Sequence, residues 1–195
     1  MIRILAIAAA LATATPAFAQ APAMAPAAAA LPAGLDKANA MVLDTSKGRI
    51  VFKLRADLAP KHAERMKQLA REGYYNNVPF HRVMDGFMAQ TGDGQNFNGT
   101  GGSKYPNLKA EFSPTPYKRG IVGMARSASE DSANSQFFIM LGENAGLNGK
   151  YTVVGEVVSG MDVVDKIKKA PAGSASGAVT DPDKMIKVQV ASDIK

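Results

Sequence analysis

Arg82 is the residue of this chain most clearly placed for chemistry: Phe80, Phe87 and Met88 lie around it in sequence, with His81 and Gln90 close by. An arginine stays charged and carries five donors in a planar fork, so a chain that embeds one among apolar residues either pairs it internally or aims it at a ligand. A ligand is the expectation here. In QFFIML, residues 136–141, strand alternation puts Gln136, Phe138 and Met140 on one face, an amide beside aromatic and thioether bulk, which resembles a pocket wall. Phe137, Ile139 and Leu141 then face the core.

Several other chemistries lack their residues. With no Cys there is no thiol nucleophile, no disulfide and no Cys-based zinc site, and the two histidines, His62 and His81, are too few for a His-rich metal site. His62, in the first turn of a predicted helix, reads as a solvated surface residue. No G-x-S-x-G occurs, and His81, the one candidate base, has no serine partner in the sequence. Asp85 and Asp93 could approach one another, but each reads as a turn residue beside Gly86 or Gly94. The run GDGQNFNGTGG, residues 92–102, lacks the Lys-Ser/Thr and the strand-then-helix frame of a phosphate loop, so it reads as a turn-forming loop. Basic residues, 23 Lys+Arg against 17 Asp+Glu, are scattered, without the basic face of a nucleic-acid binder. What remains is an arginine, two glutamines and apolar side chains, suited to binding or to a reaction that cleaves no bond.

Rotation about an X-Pro bond is such a reaction. Its barrier, about 18–20 kcal/mol, is lost amide resonance, so neither nucleophile nor cofactor is required. An apolar pocket can hold the proline ring away from water, and a fixed guanidinium can donate to the amide nitrogen as it regains a lone pair in the twisted state. A ~10⁵-fold acceleration asks these effects for about 7 kcal/mol.

The elements that must position these residues follow from patterning. Arg3, an apolar run to Leu11 and the Ala17-Phe18-Ala19 site describe a signal peptide over residues 1–19, cleaved after Ala19, with a periplasmic destination expected. Residues 20–39 open on an Ala/Pro-rich run and read as a spacer; residues 40–195 read as one domain, with no membrane insertion expected in the mature protein. Residues 41–54 read as a hairpin, with Ile50, Phe52 and Leu54 inward and Val51 and Lys53 outward. Pro60 opens a helix ending at Gly73, and a second helix covers 161–169. Further strands are expected at 120–125, 136–141, 151–158 and 185–190, the last with Ile186, Val188 and Val190 on one face. Strand-rich order with two isolated helices implies a closed antiparallel barrel or sandwich with helices over its openings. A monomer is expected, since no long exposed apolar stretch asks for a partner.

Residues 75–91 resemble, position by position, the signature of the cyclophilin-type peptidyl-prolyl cis-trans isomerases. The resemblance continues through NGTGG at 98–102, GMAR at 123–126, SQFF at 135–138, LNGK at 147–150 and VVGEV at 153–157. It implies a mainly β fold, a closed eight-stranded antiparallel β-barrel capped by two α-helices, acting on X-Pro segments of unfolded or flexible polypeptides without a cofactor or metal. Arg82 is similar to the family's catalytic arginine, and Gln90 to the glutamine that orients it. Phe87, Met88, Phe138 and Leu147 resemble the proline-pocket walls, and Gln136 borders the neighbouring subsite. Ala125 and Arg126 match the segment whose backbone pairs with the peptide. Arg126 stands where eukaryotic members often have Asn, as in exported bacterial members. Tyr151 replaces a His and Gly146 a Trp found in many members, which implies weak binding of cyclosporin. A proline-peptide-binding module or holdase without catalysis is the alternative reading.

Overall fold

The computed structural model describes residues 30–195, so the expected signal peptide and the first part of the spacer lie outside the described residues. Among the described residues, nine strands form one antiparallel sheet, curled into a half-barrel, with two α-helices packed against it. The hairpin of β1 (Ala40–Thr45) and β2 (Gly48–Leu54) is present; Thr45 Oγ1 donates to the Gly48 carbonyl at 2.7 Å across its two-residue turn. β3 (Val78–Pro79), β4 (Arg82–Met84), β5 (Met88–Thr91), β6 (Ile121–Met124), β7 (Phe137–Met140), β8 (Val153–Ser159) and β9 (Lys184–Val190) complete the order β3-β9-β1-β2-β8-β6-β7-β5-β4.

The described ladders thus differ from a closed eight-stranded barrel. The stretch 78–84 is divided because Phe80 donates its N–H to the Asp183 carbonyl at 2.9 Å and Val179 donates to the His81 carbonyl at 3.1 Å. These two residues pair with the 177–183 loop instead of a strand. β3 and β4, the two ends of the sheet, are joined by chain continuity and not by a ladder; Thr91 Oγ1 of β5 donates to the Pro79 carbonyl of β3 at 2.9 Å.

α1 (Pro60–Arg71) packs Ala63, Met66, Leu69 and Ala70 over the sheet interior. Its N-terminus has no side-chain cap of its own; Glu111 accepts from the N–H groups of Lys61 and His62 at 3.2 and 3.1 Å, putting negative charge at the positive end of the helix. His62 is not the solvated residue expected. It is fully buried, with Nδ1 2.6 Å from Glu111 Oε2. Burial holds its pKa below the ordinary histidine value, and Glu111 offsets only part of that. Its place four residues before Met66 puts it on the apolar stripe.

Three further differences have local causes. In β9, Lys187 faces Asp44 and Met185 faces Thr45, so a bulge skips Ile186, which is 45% exposed, while Met185 turns inward. α2 (Met161–Lys166) is shorter than expected because Ile167 is extended, although its side chain stays in the core. Val51 is buried because Ala40, Val42, Val51 and Ala191 form a small outer cluster covered by Leu31, Leu35 and Ile194. Packing onto the domain therefore begins before residue 40.

The main core fills the inside of the curl, with Phe52, Tyr75 and Phe137 among its largest side chains. A second cluster, built on Met88, Tyr117, Phe138 and Met140, lies apart from it. Alternation along β7 sends Phe137 and Ile139 to the first and Phe138 and Met140 to the second.

Candidate active site

Sheet register assembles the site on that second cluster. Arg82 faces Gln90 across β4 and β5, Gln90 faces Phe138 across β5 and β7, and Phe138 faces Gly123 across β7 and β6. A parallel row sets Met84 against Met88 and Met88 against Met140. Directly opposed residues are near neighbours, so an arginine at one end of a row is bound to meet a glutamine one strand away. Gly123 has to lack a side chain: a Cβ there would lie 2.5 Å from Phe138 Cζ and 2.6 Å from Tyr117 Oη. Tyr117 stacks on Phe138 with centroids 5.8 Å apart.

Arg82 is half-buried and held from two sides. Its Nε donates to the Ser176 carbonyl at 2.9 Å, and its Nη1 donates to Gln90 Oε1 at 3.3 Å. Nη2 lies 3.3 Å from Met84 Sδ. Among the described residues these partners are all neutral, so the guanidinium charge is directed but not cancelled. Gln90 Nε2 in turn donates to Gln136 Oε1 at 2.9 Å.

Arg82, Phe87, Met88, Gln90, Ala125, Arg126, Phe138, Leu147 and Tyr151 together line a notch of about 130 Å³. That is well below the ~300–1,000 Å³ of a small-molecule site, and suits one side chain of a larger ligand. Gln136 lines an adjoining cavity of about 350 Å³, which shares Gln90, Ala125 and Arg126 with the notch. The two make one continuous groove containing every residue anticipated for the site.

The far rim is held differently. A short 3-10 turn at Ala145–Leu147 is capped by Asn144 Oδ1, which accepts from the Gly146 N–H at 2.9 Å. Tyr117 fixes this loop by its backbone, accepting from the Asn144 N–H at 2.9 Å and donating to Asn148 Oδ1 at 2.8 Å. Tyr151 meets Phe138 edge-on, and the Arg126 guanidinium lies 4.6 Å above the Tyr151 ring. Arg126 also donates to the carbonyls of Lys150, Ser127 and Ala128. It therefore ties the 125–128 segment to the 150–151 segment, and its donors are engaged at home instead of free for an acidic substrate.

Tyr117, Gly123 and Ser176 support the site and were not among the residues anticipated for it. His81 is not among the residues that line the notch. It is buried, and among the described residues neither ring nitrogen has a hydrogen-bond partner of good geometry; burial first, then the Arg82 charge, keep its pKa low against the pull of Asp93 and the Pro79 carbonyl.

A curled antiparallel sheet with two helices, bearing an arginine over a one-side-chain apolar notch on a groove, defines a cyclophilin-like domain. A cyclophilin from Hirschia baltica superposes with a TM-score of 0.74 at 24% identity, over 83% of this chain and 77% of that one. A Cryptosporidium parvum cyclophilin-type isomerase, solved in the presence of the dipeptide Ala-Pro, superposes with a TM-score of 0.70 at 26% identity, over 77% and 98%. The family model described as cyclophilin type peptidyl-prolyl cis-trans isomerase/CLD matches residues 40–190. A Brucella suis protein named "Probable peptidyl-prolyl cis-trans isomerase" is 55% identical over 170 residues, 82% of this chain and 86% of its own. The chain belongs to the cyclophilin-type peptidyl-prolyl cis-trans isomerase family.

Proposed function

We propose that this protein accelerates rotation about X-Pro bonds, with Arg82 stabilising the twisted amide and no covalent intermediate. The observation that carries this reading is the Arg82 fork, fixed by Gln90 and the Ser176 carbonyl at the mouth of a notch sized for one apolar side chain. A proline ring in the notch would be shielded by Phe87, Met88, Phe138 and Leu147, where a donor acts more strongly than in water. The relative solved with Ala-Pro supports a proline-containing ligand. The peptide backbone is proposed to run along Ala125 and Arg126 by strand addition, with its preceding residue over Gln136.

The N-terminal pattern supports export to the periplasm, where slow X-Pro isomerisation, tens to hundreds of seconds, limits folding of newly translocated chains. The protein is proposed to act as a monomer. With Gly146 offering no indole donor, cyclosporin should inhibit weakly; an inhibition constant matching that of Trp-bearing members would contradict this. The test of the main reading is a protease-coupled assay on a short X-Pro peptide. Turnover proportional to enzyme is expected, and saturable peptide binding without turnover would establish the holdase reading instead.

A further inference from the structure

We propose that Asp93 is a positioning residue for Arg82, acting through the 93–102 loop, Gln136 and Gln90. The proposal rests on the isomerase reading of the site. Asp93 is fully buried, yet the ordinary partner of a buried carboxylate, a cation, is replaced by backbone. Its Oδ1 accepts from the N–H groups of Gln95 and Asn96 at 3.1 and 2.8 Å. Its Oδ2 accepts from Asn98, Gly99 and Gly101 at 3.2, 2.9 and 3.0 Å. Burial disfavours the anion, but these bonds outweigh it and hold the carboxyl below the usual range. The loop is wrapped around one charge. That wrapping holds Phe97 and Gly99 at positive φ, 61° and 93°.

The carbonyls of the same loop reach the site. Gln136 Nε2 donates to both the Gly99 and the Gly101 carbonyl, each at 2.8 Å. A flipped Gln136 amide would set its oxygen against two carbonyl oxygens, so Oε1 has to face Gln90. Gln90 must then present Nε2 to Gln136, which leaves its Oε1 as the acceptor for Arg82. Two amides with nearly symmetric ends are thereby polarised in one direction by a fixed pair of carbonyls. Without that pair, Gln90 could turn its NH₂ toward the guanidinium, and the Nη1 anchor would be lost. Asp93 does not line the notch and makes no bond to Arg82; this chain of hydrogen bonds is what links the two.

Asp93→Asn tests the proposal, since an amide NH₂ would confront N–H donors at one of the two oxygen positions. On a short X-Pro peptide, kcat/KM is expected to fall about tenfold, carried by kcat with KM within about twofold, because misplacing a reacting group costs turnover. In a Gln136→Ala background the same substitution should change kcat/KM by less than about twofold, as residues acting through one path are not additive. Gly101→Ala, whose Cβ would crowd Asp93 Oδ1, is the second variant and should show the same kcat loss if Asp93→Asn does not fold. Folded variants with wild-type kcat, a loss confined to KM, or a full additional loss in the Gln136→Ala background would overturn the proposal while wild-type turnover keeps the isomerase reading. A wild type inactive on the same peptide would instead overturn that reading, and this one with it.

Discussion

The two sides of the groove are built by different means. On the near side, strand register and a directed chain of side-chain hydrogen bonds fix Arg82 to within the tolerance of a few bonds. On the far side, Leu147 and Tyr151 belong to loops tied by backbone contacts to Tyr117 and by Arg126 lying over a ring. On the proposed mechanism, the near side controls where a charge points, and the far side only whether an apolar ring is enclosed. Turnover should therefore be sensitive to the first and affinity to the second.

The largest effect expected from breaking this contrast is at Arg82. Arg82→Ala should lower kcat/KM by about 10²–10³-fold, the range for removing one preorganised transition-state donor, in a protein whose circular dichroism is unchanged. Next is the floor common to both sides. Gly123→Ala forces a methyl against Phe138 and Tyr117, and overpacking of this kind costs about 1–3 kcal/mol, measurable as a lowered denaturant midpoint, together with a raised KM as the Phe138 ring tilts. Arg126→Ala should be milder, raising KM by about two- to fivefold with kcat unchanged, in keeping with ~0.5–1 kcal/mol for an exposed cation–π contact. If its loss fell only on peptides with an acidic residue before proline, Arg126 would be a charge selector and not a brace.

Acid provides a softer probe of the frame under both sides. His62 and His81 have folded pKa values depressed mainly by burial, so the unfolded chain takes up their protons first. Stability is complete above about pH 6.5 and should decline as pH falls below it, with a further loss below about pH 4 as carboxylates such as Asp93 protonate. Thermal melts from pH 8 to pH 3 would show this, and His62→Gln should flatten the first phase.

Much of the near side was legible in the sequence because strand alternation is a strong signal: Gln136 and Phe138 share a face by counting in twos. The short strands that carry Arg82 and Gln90 were not among those expected, and the break between β3 and β4 at Phe80 and His81 depends on a loop about 100 residues further on. Asp93 illustrates what local rules miss. An Asp before a Gly/Asn-rich run does read as a turn residue, and it is one, but nothing nearby shows that the turn closes on Gln136. His62 differs for another reason: its residue type suggests the surface, but its position on the helical stripe of α1 points inward. The bulge at Ile186 arises from pairing with β1 and has no local signature.

The contrast between the two sides is tested most directly by exchange NMR on one X-Pro peptide, separating turnover from affinity for Arg82→Lys and Arg126→Ala together. A lysine keeps the charge but not the planar fork, so Arg82→Lys should lose most of its turnover while peptide affinity changes by less than about threefold. Arg126→Ala should do the opposite. Wild-type turnover in Arg82→Lys, or both variants shifting the same parameter, would contradict the division of labour between a charge that is aimed and a rim that encloses.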